Sequence, residues 1–176
     1  MRAEDTWTTT PTLTVWAYDS PRGASAGQVR LRRLHRQGAV TVEDALTASW
    51  VRGAHRPLIE HVRLGPMTRR ADVSPLGALL ALLLDPPTGR EAASLSEQYL
   101  GRTGLSEPFL AEVRRSLVPD ASAMLVLSSR ADFDAVRQVI ERGIARGDVR
   151  LLHAILTTDA VEILGGLEDG RPTAGL

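Results

Sequence analysis

The sequence predicts an α+β fold in which a strand–helix–strand unit occurs twice. The two units lie at roughly 12–51 and 121–158, in the same order and with similar lengths. Two such units usually share one sheet and pack both helices on one face of it. That arrangement is typical of a ferredoxin-like sandwich, and residues 66–104 lie between the units as a predicted helical insertion.

Length and composition indicate one compact domain. A chain of 176 residues with 43% hydrophobic and 24% charged residues matches an ordinary folded protein. We predict a single α+β domain over 12–168, with flexible tails at 1–11 and 169–176. The first tail carries acids and no apolar run, unlike a signal peptide. Because the chain has no cysteine, it has no disulfide, thiolate metal site or cysteine nucleophile.

The first unit begins with a strand that has an aromatic face. The residues of "TLTVWAYD" alternate between two faces, and Trp16 and Tyr18 share one of them. Ser25 and Gln28 have the spacing of a capping box, which predicts a helix from there to about Gln37. Two strands follow, "AVTVEDALTASWVRG" and "PLIEHVRL", which we expect to pair in antiparallel fashion.

The second unit repeats this order. The nearly continuous apolar run "ASAMLVLSS" predicts a strand at the centre of the sheet. Ser129 is the predicted cap of a helix that Gly147 follows, and "DVRLLHAILTT" is the next strand. A helix over 106–118 precedes this unit, and a short helix over 159–167 follows it.

The insertion contains the most apolar stretch of the chain, "LGALLALLL" at 76–84. As a helix it would be about 14 Å long, too short for about 30 Å of hydrocarbon. Three roles remain open: a hairpin with "GREAASLSEQYLG" packed on its own domain, a patch covered by another subunit, or shallow contact with a membrane surface. As interface candidates we name its leucines: Leu76, Leu79, Leu80, Leu83 and Leu84.

Charge is unevenly distributed along the chain. All 21 basic residues are arginine, and the formal net charge is zero. Residues 22–70 carry ten arginines against three acids, a net charge of +7, whereas residues 72–176 carry ten against fifteen, a net charge of −5. The basic part includes the first helix, which predicts a surface for nucleic acid, another anionic ligand or an acidic protein face, including a second copy of the chain. The candidate residues are Arg30, Arg32, Arg33 and Arg36.

Residues for chemistry are scarce. The sequence contains no phosphate-binding glycine loop, dinucleotide motif, zinc-protease motif or serine-hydrolase motif. We therefore predict no catalytic residue, no metal site and no cofactor, and favour a binding role over an enzymatic one. His55 and His61 are expected to face solvent or a partner, and His153 to be a hydrogen-bonded core residue. The acids Glu43 and Asp44 are expected to pair with nearby arginines.

Several segments together resemble the bacterial domain-of-unknown-function family 1269. They are "LTVWAYDS", "VTVEDALTASWVRG" and, most specifically, "TGLSEPFLAEVRRSLVPDASAMLVLSSR", and the resemblance covers about 12–158. Members of that family are commonly labelled predicted membrane proteins. Their middle segment is typically longer and rich in glycine, whereas here Gly77 is the one glycine inside a short run. The resemblance implies no agreed activity and no catalytic residues.

These observations predict a binding protein rather than an enzyme. The first hypothesis is an assembly module that forms a homo-oligomer or docks on a larger complex. The second is a binder of nucleic acid or another anionic ligand through the arginine-rich helix. We expect a cytoplasmic protein, either free or peripheral to the membrane, without a transmembrane span.

Overall fold

A computed structural model of the chain describes residues 7–8, 10–64, 74–85 and 90–166. It is an α+β structure, as predicted. The strands are β1 (Trp7–Thr8), β2 (Thr12–Tyr18), β3 (Val40–Ser49), β4 (Leu58–His61), β5 (Ser122–Asp132) and β6 (Val149–Ile155). The helices are α1 (Gly23–Arg36), α2 (Pro75–Leu84), α3 (Arg90–Arg102), α4 (Glu107–Ser116), α5 (Phe133–Arg146) and α6 (Ala160–Gly166).

The sheet is antiparallel, in the order β4-β3-β5-β2-β6, and β1 pairs with the end of β5. The apolar strand β5 lies at the centre, where residues 121–128 are all buried, as its composition predicts. The hairpin of β3 and β4 also forms as predicted. The edges of the main sheet are therefore β4 and β6.

Helices cover both faces of this sheet. On one face α1 and α5 pack together over a core that includes Trp16, Met124 and Ile140. On the other face α2, α4 and α6 pack over a leucine-rich core that includes Leu13 and Leu125. The alternation of β2 between aromatic and aliphatic faces separates these two cores, because successive side chains of a strand point to opposite faces.

The apolar helix α2 belongs to the leucine-rich core. It packs against β3, α4 and α6, and Ser74 caps it by accepting a hydrogen bond from the Gly77 N–H at 2.9 Å. Four of its leucines are buried inside the chain: Leu76, Leu79, Leu80 and Leu83. The chain's own residues cover these four leucines, so they offer almost no surface to the predicted interface. No helix among the described residues has the length and hydrophobicity to cross a membrane.

Helix α1 begins two residues before the predicted capping box. Its first residue, Gly23, lies so close to Tyr18 that a Cβ there would be 2.3 Å from the Tyr18 Cβ. The hydroxyl of Ser122, on β5, accepts a hydrogen bond from the Ala24 N–H at 2.9 Å. A distant residue thus satisfies one of the N–H groups that the first turn of a helix leaves without a partner inside the helix.

Strand β5 runs further than predicted, and helix α5 begins later. Asp132, rather than Ser129, caps α5 by accepting a hydrogen bond from the Ala135 N–H at 3.0 Å. The strand is extended because Trp7 of β1 pairs with Asp132, and Val40 of β3 pairs with Ala131. Residues 7–8 therefore belong to the sheet and not to a tail, whereas the predicted tail at 169–176 lies outside the described residues.

Because Tyr18 is buried, we expect the stability of the protein to fall at alkaline pH. Burial raises the pKa of the Tyr18 hydroxyl from 10.0 to about 12, although the nearby Arg30 charge opposes the shift. Above pH 10 the unfolded chain loses this proton while the folded chain keeps it, so the free energy of unfolding falls as pH rises toward 12. We expect a slope of up to about 1.4 kcal/mol per pH unit, with no contribution from Tyr18 below pH 10.

Urea denaturation between pH 9 and about pH 11.5 measures this effect, with Tyr18→Phe as the control. The chain contains no lysine, so few other groups titrate in this range. The phenylalanine variant should show a smaller slope than the wild type. Equal slopes would contradict a perturbed Tyr18.

Candidate anion-binding pocket

Helix α1 presents arginine side chains outward because its opposite stripe is apolar. The stripe that faces the sheet contains Gly27, Leu31 and Leu34, all buried. Arg32 and Arg36 are exposed, and their spacing of four residues places them on one side of the helix. The helix therefore supplies two neighbouring guanidinium groups.

The segment after β4 forms the opposite wall. Val62 is buried and its N–H donates to the Ala45 carbonyl at 2.9 Å. This anchor fixes the chain beside α1 and leaves the next side chain, Arg63, exposed. Leu64 then turns inward and packs against the core under α1.

A cavity of about 370 Å³ lies between these two walls. Six residues line it: Val29, Arg32, His35, Arg36, Arg63 and Leu64. Three are arginines, and no acidic residue is among them. We call this cavity the basic pocket.

Hydrogen bonds hold part of the pocket in place. Arg32 bridges the two walls, because its Nε donates to the Arg63 carbonyl at 3.0 Å and its Nη2 donates to the Gln28 Oε1 at 3.3 Å. Nε of Arg36 lies 3.4 Å from the Arg32 carbonyl, and Nδ1 of His35 lies 3.2 Å from the Val40 carbonyl. Within the described part of the chain, no acidic side chain forms an ion pair with the three arginines. Their remaining N–H groups are available to a ligand.

The structure brings together two of the four predicted arginines. Arg32 and Arg36 line the pocket, whereas Arg33 is exposed outside the lining and Arg30 is half-buried near Tyr18. Sequence reasoning missed Arg63, although the excess positive charge over 22–70 includes it. Trp16 and Tyr18 are 1% and 4% exposed, so neither ring is available to stack on a nucleic-acid base.

The pair of acids in the basic part has a different role from the predicted one. Glu43 is exposed, but Asp44 is buried on the leucine-rich face. Irregular register between β3 and β5 at this point turns Asp44 toward α2. Its Oδ2 accepts a hydrogen bond from the Leu76 N–H at 3.1 Å, and its Oδ1 lies 3.4 Å from Nε2 of His61. Asp44 thus holds the start of α2 and not an arginine.

The histidines also depart from their predictions. His61 is largely buried, with Nδ1 2.9 Å from the Ala45 carbonyl. His153 is exposed because β6 is an edge strand, and its ring lies against Phe133 with centroids 5.2 Å apart. His55 is exposed as predicted. No cluster of three or more potential metal ligands occurs among the residues that the structure describes.

A second cavity, of about 350 Å³, lies between the β3–β4 hairpin and the end of α2. Trp50, Ile59 and Leu84 form most of its apolar wall, so Leu84 is half-buried at a surface cavity and differs from the four core leucines. Arg56 and Asp85, both exposed, form an ion pair at 3.6 Å on its rim. Because these opposite charges balance, the cavity does not select a ligand by charge.

Comparisons with known proteins give no independent assignment of this pocket. No family model, no curated protein and no solved structure matches the chain.

Proposed function

We propose that this protein binds an anionic ligand in the basic pocket. The observation that carries the proposal is the convergence of three arginines, from α1 and from the segment after β4, on one cavity without an acid in its lining. Like charges on neighbouring turns of a helix repel one another, and a bound anion relieves this repulsion. A site that is strained by its own charge and lies open to solvent is suited to binding rather than to structural support.

A stability measurement with a matched control tests this function. We expect inorganic phosphate to raise the melting temperature of the wild type more than chloride does at equal ionic strength. At a concentration of about 100 times Kd the gain is about 2.7 kcal/mol, or roughly 5–10 °C for a chain of this size. The Arg36→Gln, Arg63→Gln double variant should lose this gain, since it removes two of the three guanidinium groups.

Arg142→Gln is the control, because Arg142 is an exposed arginine of α5 that does not line the pocket. It should keep the full phosphate effect, including any general stabilisation by the salt. Both variants change exposed residues, so without phosphate each should stay within about 0.5 kcal/mol of the wild type. Equal phosphate effects in all three proteins would refute binding at the basic pocket.

Assembly is a second candidate function, and the two edge strands favour it. Leu58 of β4 is 62% exposed and Ile155 of β6 is 59% exposed, and each edge offers unpaired backbone groups to another strand. In this proposal the partner is a second copy of the chain or another protein. Light scattering coupled to size exclusion measures it directly.

We also propose that the core is a ferredoxin-like duplication. The support is the strand order β3-β5-β2-β6. In this order β2 and β5 are the two inner strands and β3 and β6 the two outer strands, so each strand–helix–strand unit contributes one inner and one outer strand. The helices of the two units, α1 and α5, contribute to the same core, as such a duplication requires. The resemblance to family 1269 stays a prediction.

A further inference from the structure

The basic pocket has features that restrict its ligand, provided that it binds anions as proposed above. Its volume of about 370 Å³ is near the lower end of the range of about 300–1,000 Å³ for small-molecule sites. Two of its lining residues are apolar: Val29, whose side chain is 64% exposed, and Leu64, which is half-buried. The pocket therefore fits a small molecule that combines an anionic group with a short apolar part.

The number of guanidinium groups in the basic pocket indicates which anionic group its ligand carries. A terminal phosphoryl group carries about −1.5 to −2 charges and three acceptor oxygens, whereas a carboxylate carries one charge and two oxygens. Each guanidinium can offer a planar pair of N–H donors to such oxygens. Arg32 already uses two of its nitrogens within the protein, while the Arg63 side chain makes no hydrogen bond or ion pair among the described residues. Three partly free arginines match a phosphoryl group better than a single carboxylate.

A nucleic-acid strand matches the site less well. Binding of single strands generally adds stacking of bases on exposed aromatic rings to backbone contacts. Trp16 and Tyr18, the aromatic residues nearest in sequence to α1, are buried in the core. Arg32 and Arg36 of α1 also meet Arg63 at one cavity of limited volume that is open to solvent.

We infer that the basic pocket binds a small phosphomonoester, with the phosphoryl group on Arg32, Arg36 and Arg63 and the short organic part against Val29 and Leu64. The inference rests on these residues lining one cavity. It rests also on the anion-binding function, and it adds to that function the chemical class of the ligand.

Isothermal titration of the full chain with three probes tests the ligand class. Phenyl phosphate and phthalate are both dianions with a benzene ring at pH 8, so they differ mainly in phosphoryl against carboxylate chemistry. A ten-nucleotide oligothymidylate represents a single strand. We expect phenyl phosphate to bind at least ten times more tightly than phthalate. The oligonucleotide should have no affinity beyond the affinity that its terminal phosphate provides.

Two variants locate each part of the ligand. Arg63→Gln should weaken both phenyl phosphate and inorganic phosphate at least tenfold, whereas Arg142→Gln should weaken neither. Val29→Ser changes an exposed side chain and should weaken phenyl phosphate about threefold, with little effect on inorganic phosphate, because it removes only an apolar contact.

The possible results separate the ligand class from the function. Equal binding of phthalate and phenyl phosphate, both lost in Arg63→Gln, would overturn the phosphomonoester and leave anion binding intact. Tight binding of the oligonucleotide alone would overturn it in favour of nucleic acid. If no probe and no inorganic phosphate binds the wild type, the anion-binding function fails and the ligand class fails with it.

Discussion

Replacing Asp44 with alanine is expected to lower the free energy of unfolding by about 2 kcal/mol, the middle of the range for leaving a buried N–H without its acceptor. The Asp44 side chain is only 3% exposed and lies 3.4 Å from the imidazole of His61. Alanine would remove the carboxylate that faces His61. It would also leave the Leu76 N–H, at the start of α2, without the acceptor that it has at 3.1 Å.

The position of His61 explains why Asp44 matters more than a surface acid. Nδ1 of His61 faces the Ala45 carbonyl and Nε2 faces the Asp44 carboxylate. Both ring nitrogens therefore face oxygen atoms that can accept a hydrogen bond. Asp44 Oδ1 makes no hydrogen bond among the described residues, although it lies 3.4 Å from Nε2 of His61.

Urea denaturation measures the loss, with Glu43→Ala as the matched control. Glu43 is the adjacent acid but is exposed, so its replacement should cost less than about 0.5 kcal/mol. A double-mutant cycle of Asp44→Ala with His61→Gln should give a coupling of about 1–3 kcal/mol. If Asp44→Ala and Glu43→Ala cost the same, the buried pair does not stabilise the fold.

Sequence patterns predicted those elements whose signals are local. The continuous apolar run of β5 and Gly147 after α5 each lie within a few residues of the feature that they specify, and both occur as predicted. The burial of α2 also follows from its composition, because a helix that is apolar on nearly every side has no face suited to water.

The features that sequence analysis missed depend on residues far apart in the chain. The start of α1 depends on Ser122, which is 98 residues away from Ala24. The role of Asp44 depends on a register irregularity in β3 and on the N–H of Leu76. The basic pocket joins Arg32 to the segment around Arg63, a separation of 31 residues. A local sequence pattern carries no information about contacts between residues so far apart in the chain.

Replacing Leu80 with glutamate is expected to unfold the protein rather than to dissociate an oligomer. Leu80 has no exposed surface and packs in the core with Leu76 and Leu83. A carboxylate there would be buried without a partner, a substitution among the most destabilising known. The milder Leu80→Ala should cost about 3 kcal/mol, because it removes apolar contacts and leaves a cavity.

Circular dichroism, urea denaturation and light scattering together measure this effect. Ala81→Glu is the control, because Ala81 is the next residue of the same helix and is exposed. It introduces the same charge without burial and should leave the protein folded. Ile155→Glu tests the edge strand in the same way, since Ile155 is exposed on β6.

The results of these measurements show whether α2 and β6 belong to the core or to an interface between subunits. If Leu80→Glu unfolds while Ala81→Glu and Ile155→Glu stay folded, α2 is core and any oligomer must use other surfaces. Dissociation of an oligomer by Ile155→Glu into folded monomers would then support assembly through β6. A folded, dissociated Leu80→Glu would show instead that α2 leaves the core to contact a partner, because a buried leucine cannot serve both surfaces at once.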